Sequence, residues 1–279
     1  MRDHQRRARE GLALLARDGR PFDIIEAALL VAQEEYSDLD LARERERIAA
    51  IGSEAASKVD NLSNPFARLD ALRAYLFEEL GFCGNTDDYY DPRNSFLNEV
   101  LDRRSGIPLT LSILYMEAAR CSGFHVYGIA LPGHFVVRLD YSGRSMLVDP
   151  FRGGVLITEE DCRDLVARST GRPALYRREL LEGTSPRDML GRLLRNLKRV
   201  YLARKDFKRA LGAVERLLLI FPETTTEVRD RGFLLAHIDR PGAAVTDLEA
   251  YLDLAPDSPD ADAVRGRIAW LRRKMSEIN

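Results

Sequence analysis

No two of the three cysteines lie near each other. Cys83, Cys121 and Cys162 form no Cys-x-x-Cys pair and their number is odd, so neither a zinc site nor a disulfide framework is suggested. Such sparse usage fits a reducing cytosol. Long apolar runs are missing too. No stretch approaches the roughly 18–20 uncharged residues of a membrane span. The first residues carry no apolar core of signal-peptide length. A cytoplasmic protein with no membrane partner is expected. Positive charge is not in surplus: 42 Lys and Arg against 44 Asp and Glu leave a formal net charge of −2. A nucleic-acid binder usually carries a basic excess, so no nucleic-acid partner is expected. The early arginines Arg2, Arg6, Arg7 and Arg9 are balanced by later acids and read as a solvated helix end. Neither a metal nor a cofactor is expected.

What is present is a full globular core. The chain has 279 residues, 45% of them apolar, enough for one large or two ordinary domains. Its centre is the stretch from Ser105 to Gly154. Pro108 suits a first helical turn, where its missing N–H costs nothing. Leu109, Leu111, Ile113, Leu114, Met116, Ala118 and Ala119 then run apolar nearly all round, the mark of a buried helix. Ser122-Gly123 ends it. Three strands follow, around Val126–Leu131, Phe135–Leu139 and Met146–Val148. The turn Tyr141-Ser142-Gly143-Arg144 makes a hairpin of the last two. That hairpin brings His134, at the head of one strand, towards Asp149, at the end of the next. Such a pair is the base–orienter half of a catalytic triad. His125 reads as a surface or strand-edge residue.

Before this stretch the pattern is helical. Leu12, Leu14 and Leu15 suggest a first helix, Pro21-Phe22-Asp23 starts a second that ends near Glu35, and Asp38 to Ile51 gives a third. Asn64-Pro65 begins a fourth, carrying Leu69, Leu72, Tyr75, Leu76 and Leu80. A further helix is expected to start at Asn94-Ser95, both good N-caps, with Glu99 and Arg103 spaced to pair. Asn98 falls near its apolar face and needs partners there. Asn94 and Asn98 therefore either tie loops together or line a pocket. After Asp149-Pro150 come a turn, a short strand at Val155–Ile157, a helix capped by Thr158 through Ala167, and a polar connector over residues 169–182.

The remainder repeats itself. Ala210 and Pro222 recur as Ala244 and Pro256, 34 residues on, as do Glu215 and Glu249, Leu218 and Leu252, and Ile220 and Leu254. Lys198 with Gly232 and Tyr201 with Leu235 match more loosely. A 34-residue period with a small residue twelve before a proline is the tetratricopeptide pattern. Residues 262–278 read as a closing helix, with Trp270 available to cover the end of the stack. The domains expected are 1–183 and 184–279.

The central stretch resembles the transglutaminase-like core, whose members include transglutaminases and cysteine proteases with a papain-like Cys-His-Asp triad. Tyr89-Tyr90-Asp91-Pro92-Arg93-Asn94-Ser95-Phe96-Leu97-Asn98-Glu99-Val100-Leu101, then Gly106-Ile107-Pro108, then Pro132-Gly133-His134-Phe135, is similar to one bacterial branch, the invasion-regulator SirB proteins. That branch joins a divergent transglutaminase-like domain to tetratricopeptide repeats. The resemblance implies an α+β fold: a papain/transglutaminase-like core of helices and a small antiparallel sheet, then an all-α helical module. It carries the family histidine to His134 and the aspartate to Asp149. The family nucleophile, a cysteine at the helix N-terminus where the dipole lowers a thiol pKa, falls on Pro108. No cysteine lies within the twenty residues before it.

Two classes of function compete. In the first, a non-enzymatic regulatory protein (a pseudoenzyme) keeps the old cleft, with Asn94, Asn98, Pro108 and Phe135 as candidate lining, and takes a protein or peptide partner through the helical repeats. In the second, an amide-processing hydrolase or transferase uses the His134–Asp149 dyad with another nucleophile: Thr110 or Ser112 in the first turns of the helix, Cys83 in its glycine loop, or water. Cys121 sits at the wrong pole of the helix dipole for this role.

Overall fold

The computed structural model describes residues 3–17 and 22–278; Arg2 and Pro21 lie outside the described residues. The chain divides into two compact units, residues 1–193 and 194–279.

The first unit opens with four helices: α1 (Asp3–Leu15), α2 (Ile24–Glu35), α3 (Leu41–Val59) and α4 (Pro65–Arg73). Side-chain caps set three of their starts. Asp23, Asp40 and Asn64 each accept two main-chain N–H bonds from the turn that follows. The third helix corrects the expected span of 38–51. Asp40 caps it, and the alanines around Ala55 carry it on to Val59, while Gly52 lets Cys121 pack against its backbone. A π-helical segment, Ala74–Glu79, extends α4. Beyond it, β1 (Cys83–Gly84) pairs in parallel with β2 (Ser105–Gly106), either side of α5 (Leu97–Arg103).

The expected cap at Asn94-Ser95 is a second correction. Residues Pro92–Ser95 form a 3-10 turn capped by Asp91, and α5 begins two residues later behind Phe96. Asn94 is fully buried and has other work. Nor does Arg103 turn to Glu99: it reaches Asp91 at 3.4 Å and Asn94 at 3.3 Å.

Helix α6 (Pro108–Cys121) packs against a four-stranded antiparallel meander: β3 (His125–Leu131), β4 (His134–Tyr141), β5 (Arg144–Asp149) and β6 (Val155–Ile157). Ile129, Leu131 and Val136 pack with Cys162, Leu165 and Val166 of α7 (Glu159–Thr170). Phe135, Val136 and Val137 are fully buried in succession, so β4 is covered on both faces and loses the polar alternation of a half-exposed strand. Thr158 and Asp161 close a capping box at the start of α7, which runs three residues past the expected Ala167.

Helix α8 (Pro186–Ala203) contains the division between the units. The second unit continues with α9 (Phe207–Ile220), α10 (Thr225–His237), α11 (Pro241–Leu254) and α12 (Ala261–Ile278). The repeat-related Ala210 and Ala244 are fully buried in α9 and α11, and Pro222 and Pro256 follow just after those helices end. Trp270 does not cover the stack: it is 43% exposed on α12, with Arg267 and Lys274 over its ring.

Candidate functional site

His134 is placed by two turns. Leu131 and His134 face each other across the β3–β4 hairpin, leaving Pro132-Gly133 as its loop. Gly133 has φ +78°, and a Cβ there would lie 2.4 Å from the Ser169 Cβ, so both conformation and space demand glycine. The β4–β5 hairpin closes at Tyr141 and Arg144 through Ser142 and Gly143, both at positive φ, the order of a two-residue type I′ turn. Val137 opposes Val148. One residue further along, Asp149 falls opposite Val136, on the face that His134 shares.

The two side chains meet. His134 Nε2 lies 2.9 Å from Asp149 Oδ2. Asp149 is fully buried and His134 is 7% exposed. The other carboxylate oxygen accepts main-chain N–H bonds from Phe151 at 3.1 Å and Arg152 at 3.3 Å. The acid is therefore held by the first turn after its own strand. With Nε2–H donated to the acid, Nδ1 is the imidazole's remaining acceptor. Among the described residues Nδ1 makes no hydrogen bond.

Two neighbours of the histidine carried no signal in the sequence. Phe151, read as part of a turn, sets its ring edge-on to the imidazole at 5.9 Å. Its carbonyl is where a Cβ on Gly84 would clash, at 2.5 Å, so the glycine brings β1 against it. Arg192, 58 residues downstream, donates from Nη2 to the His134 carbonyl at 2.6 Å.

The helix N-terminus holds no thiol. Pro108 is buried at the first position of α6. Thr110 is buried and fully used: Oγ1 accepts from the Ile107 N–H and donates to the Asn94 carbonyl at 2.8 Å. Ser112 is also buried, and its Oγ has no partner among the described residues. The Tyr115 hydroxyl likewise has no partner among the described residues, and burial pushes its phenol pKa up. Pro108, Ser112 and Tyr115 fall on one stripe of the helix at spacings of four and three.

The remaining candidates are placed as follows. Asn94 donates to the Asp88 carbonyl at 2.8 Å and accepts from Asn85 at 2.9 Å and from Arg103, tying the loop before α5 together. Asn98 is buried, and its Oδ1 has no partner among the described residues. Phe135 lies fully in the core, beneath the Arg192 guanidinium at 5.5 Å. Cys83 is exposed in β1. Burial, helped by Asp161 and the nearby Asp149, pushes the Cys162 thiol up to about 12. Burial and then Glu117 also raise Cys121. Neither forms a thiolate readily at neutral pH. Among the described residues no group of His, Cys, Asp or Glu is arranged to hold a metal ion, and no helix is long and apolar enough to cross a membrane.

The chain belongs to the transglutaminase-like superfamily, whose model matches residues 42–195. A tetratricopeptide-repeat model matches residues 197–269. The UPF0162 protein of Xylella fastidiosa is 35% identical over 265 residues, covering 94% of each chain. A UPF0162 protein of Vibrio cholerae is 26% identical over 258 residues, covering 92% of this chain and 95% of its own. Protein SirB1 of Salmonella typhimurium is 25% identical over 235 residues, covering 83% of this chain and 85% of its own. These relatives place the chain with the SirB branch. No solved structure matches it.

Proposed function

We propose that the chain is a cytoplasmic regulatory protein that binds rather than turns over its ligand. The transglutaminase-like unit receives a peptide segment or side chain at His134 Nδ1, and the repeat unit docks a protein partner. One observation carries this reading: Pro108 opens α6, at the place where the resemblance puts the family's cysteine, and the nearest hydroxyl on that helix, Thr110, already gives its proton to the Asn94 carbonyl. A base with no acyl acceptor beside it orients and binds; it does not form an acyl-enzyme.

A second reading has its own support. Asp149 still holds Nε2 and leaves Nδ1 as an acceptor, the arrangement of a general base acting on water. The two are separated by incubating the protein with a glutamine-rich protein and a fluorescent primary amine, while following ammonia release. The binding reading expects neither amine incorporation nor ammonia. Release that disappears in His134→Ala and persists in Cys83→Ala would establish the hydrolase instead.

A further inference from the structure

The repeat unit contains the same glycine twice, once covered and once bare. Gly232 sits in α10, where a Cβ would come within 2.8 Å of the Leu248 side chain and 3.3 Å of the Ala244 carbonyl. Helix α11 packs against that position so closely that only glycine fits. Gly266 follows 34 residues later, one repeat on, at the equivalent place in α12. A Cβ there meets nothing within 4 Å. The face of α12 that corresponds to the α11-binding face of α10 has no helix on it among the described residues. Leu235, 6% exposed in α10, has as its counterpart Ala269, which is exposed; Ala236 has as its counterpart Trp270, 43% exposed.

Charge names the occupant. Arg265, Arg267, Arg272, Arg273 and Lys274 stand on α12 against Asp262 and Glu277. Arg265, Arg272 and Lys274 have acidic partners inside the unit. Arg267 lies a quarter turn away from Gly266, over the Trp270 ring at 4.4 Å. Arg273, two turns on from Gly266 and on its face, has no ion pair among the described residues. Arg265 is the counterpart of Arg231, which holds Asp247 of α11 at 2.6 and 2.7 Å. The helix that fills the equivalent seat one repeat earlier, α11, is acidic: it carries Asp247, Glu249 and Asp253 and no Lys or Arg. A second copy of α12 would set arginine against arginine, which is unfavourable across an interface.

We propose that the bare face of α12 is a docking seat for an acidic amphipathic helix of a partner protein, which continues the stack by presenting a small residue to Gly266 and carboxylates to Arg265 and Arg273. The proposal deepens the reading of the repeat unit as a protein-docking module and rests on it.

Trp270 is the sole tryptophan of the chain, so its emission reports on this seat directly. The probe is an acetylated, amidated peptide of residues 241–254, the α11 sequence, titrated into the full-length protein beside a scrambled peptide of equal charge. The expected result is a saturable blue shift with the α11 peptide and none with the scramble. Affinity should fall at least tenfold in Gly266→Gln and in Arg273→Glu. Gly266→Gln keeps the helix, since glutamine is the better helix former and the position faces open space. No saturable shift in the unaltered protein, or equal binding by Gly266→Gln, overturns the proposal. So does a concentration-dependent dimer in sedimentation that Gly266→Gln abolishes, which would make the occupant a second copy. The amine-incorporation assay runs on the same samples. Turnover there sinks the binding reading of His134 and leaves the seat standing, whereas failure of the titration leaves the reading of His134 untouched.

Discussion

Asp149 spends both carboxylate oxygens inside the fold: one on His134, the other on the main-chain N–H groups of Phe151 and Arg152. Asp149→Ala strands the buried His134 Nε2 and frees the main-chain N–H groups of half-buried Phe151 and exposed Arg152, and should lower unfolding free energy by about 1–3 kcal/mol in urea titration. A loss of only a few tenths would mean the pair contributes no net stability. The thiols make a second prediction. Iodoacetamide at pH 8 should label Cys83, which is exposed, and spare Cys162, whose thiol burial pushes up to about 12. Labelling of Cys83 that depends on His134 would instead favour the enzyme. The His134–Asp149 meeting was legible in the sequence because both sit at the ends of one tight hairpin. Arg192 was not: a helix arginine reaching a carbonyl 58 residues away leaves no local pattern. Asn94 ties a loop together, one of its two expected roles, but does not cap a helix. Its residue type favours a cap, but its hydrogen bonds go to Asp88, Asn85 and Arg103, six to nine residues away.

Among the elements, glycines decide where chains may touch. Gly232→Ala should destabilise the protein, because Leu248 and the Ala244 carbonyl leave no room. Gly266→Ala, at the same place one repeat later, should stabilise it by about 1 kcal/mol, the helix-propensity gain alone. Thermal melts of the two variants that move in the same direction would contradict this account of the repeat. The 34-residue period was plain from Ala210, Ala244, Pro222 and Pro256, which all mark helix packing or helix ends. The loose match of Lys198 with Gly232 concealed the informative glycine. Helix α3 outran its expected end at Ile51 because alanines and lysine continue a helix without an apolar signal.

The whole molecule is acidic only slightly, yet several carboxylates are held in their charged form by the fold. Hydrogen bonds from Tyr251 and Arg229 bring the Asp260 carboxyl down to about 2. Burial would raise Asp91, but hydrogen bonds from Arg93 and the charges of Arg93 and Arg103 outweigh it and lower its pKa. A carboxyl whose folded pKa is depressed contributes stability above its unfolded value, near 3.8 for Asp260, and loses it as pH falls towards the folded one. Stability should therefore drop between about pH 4 and pH 2, and Asp260→Asn should flatten part of that drop. An unchanged acid limb in that variant would contradict the assignment. At this scale the sequence was most readable: a buried helix, a hairpin sheet and a repeat module follow from apolar periodicity and turn residues.

The most direct measurement is the thiol pKa of Pro108→Cys, followed by iodoacetamide rate against pH in a Cys83→Ser background, with and without His134→Ala. If Pro108 occupies the vacated nucleophile position, the new thiol titrates well below the ordinary value of about 8.5 and rises again when His134 is removed. A thiol that titrates normally and ignores His134 would contradict the account of the site as a transglutaminase-like dyad stripped of its nucleophile.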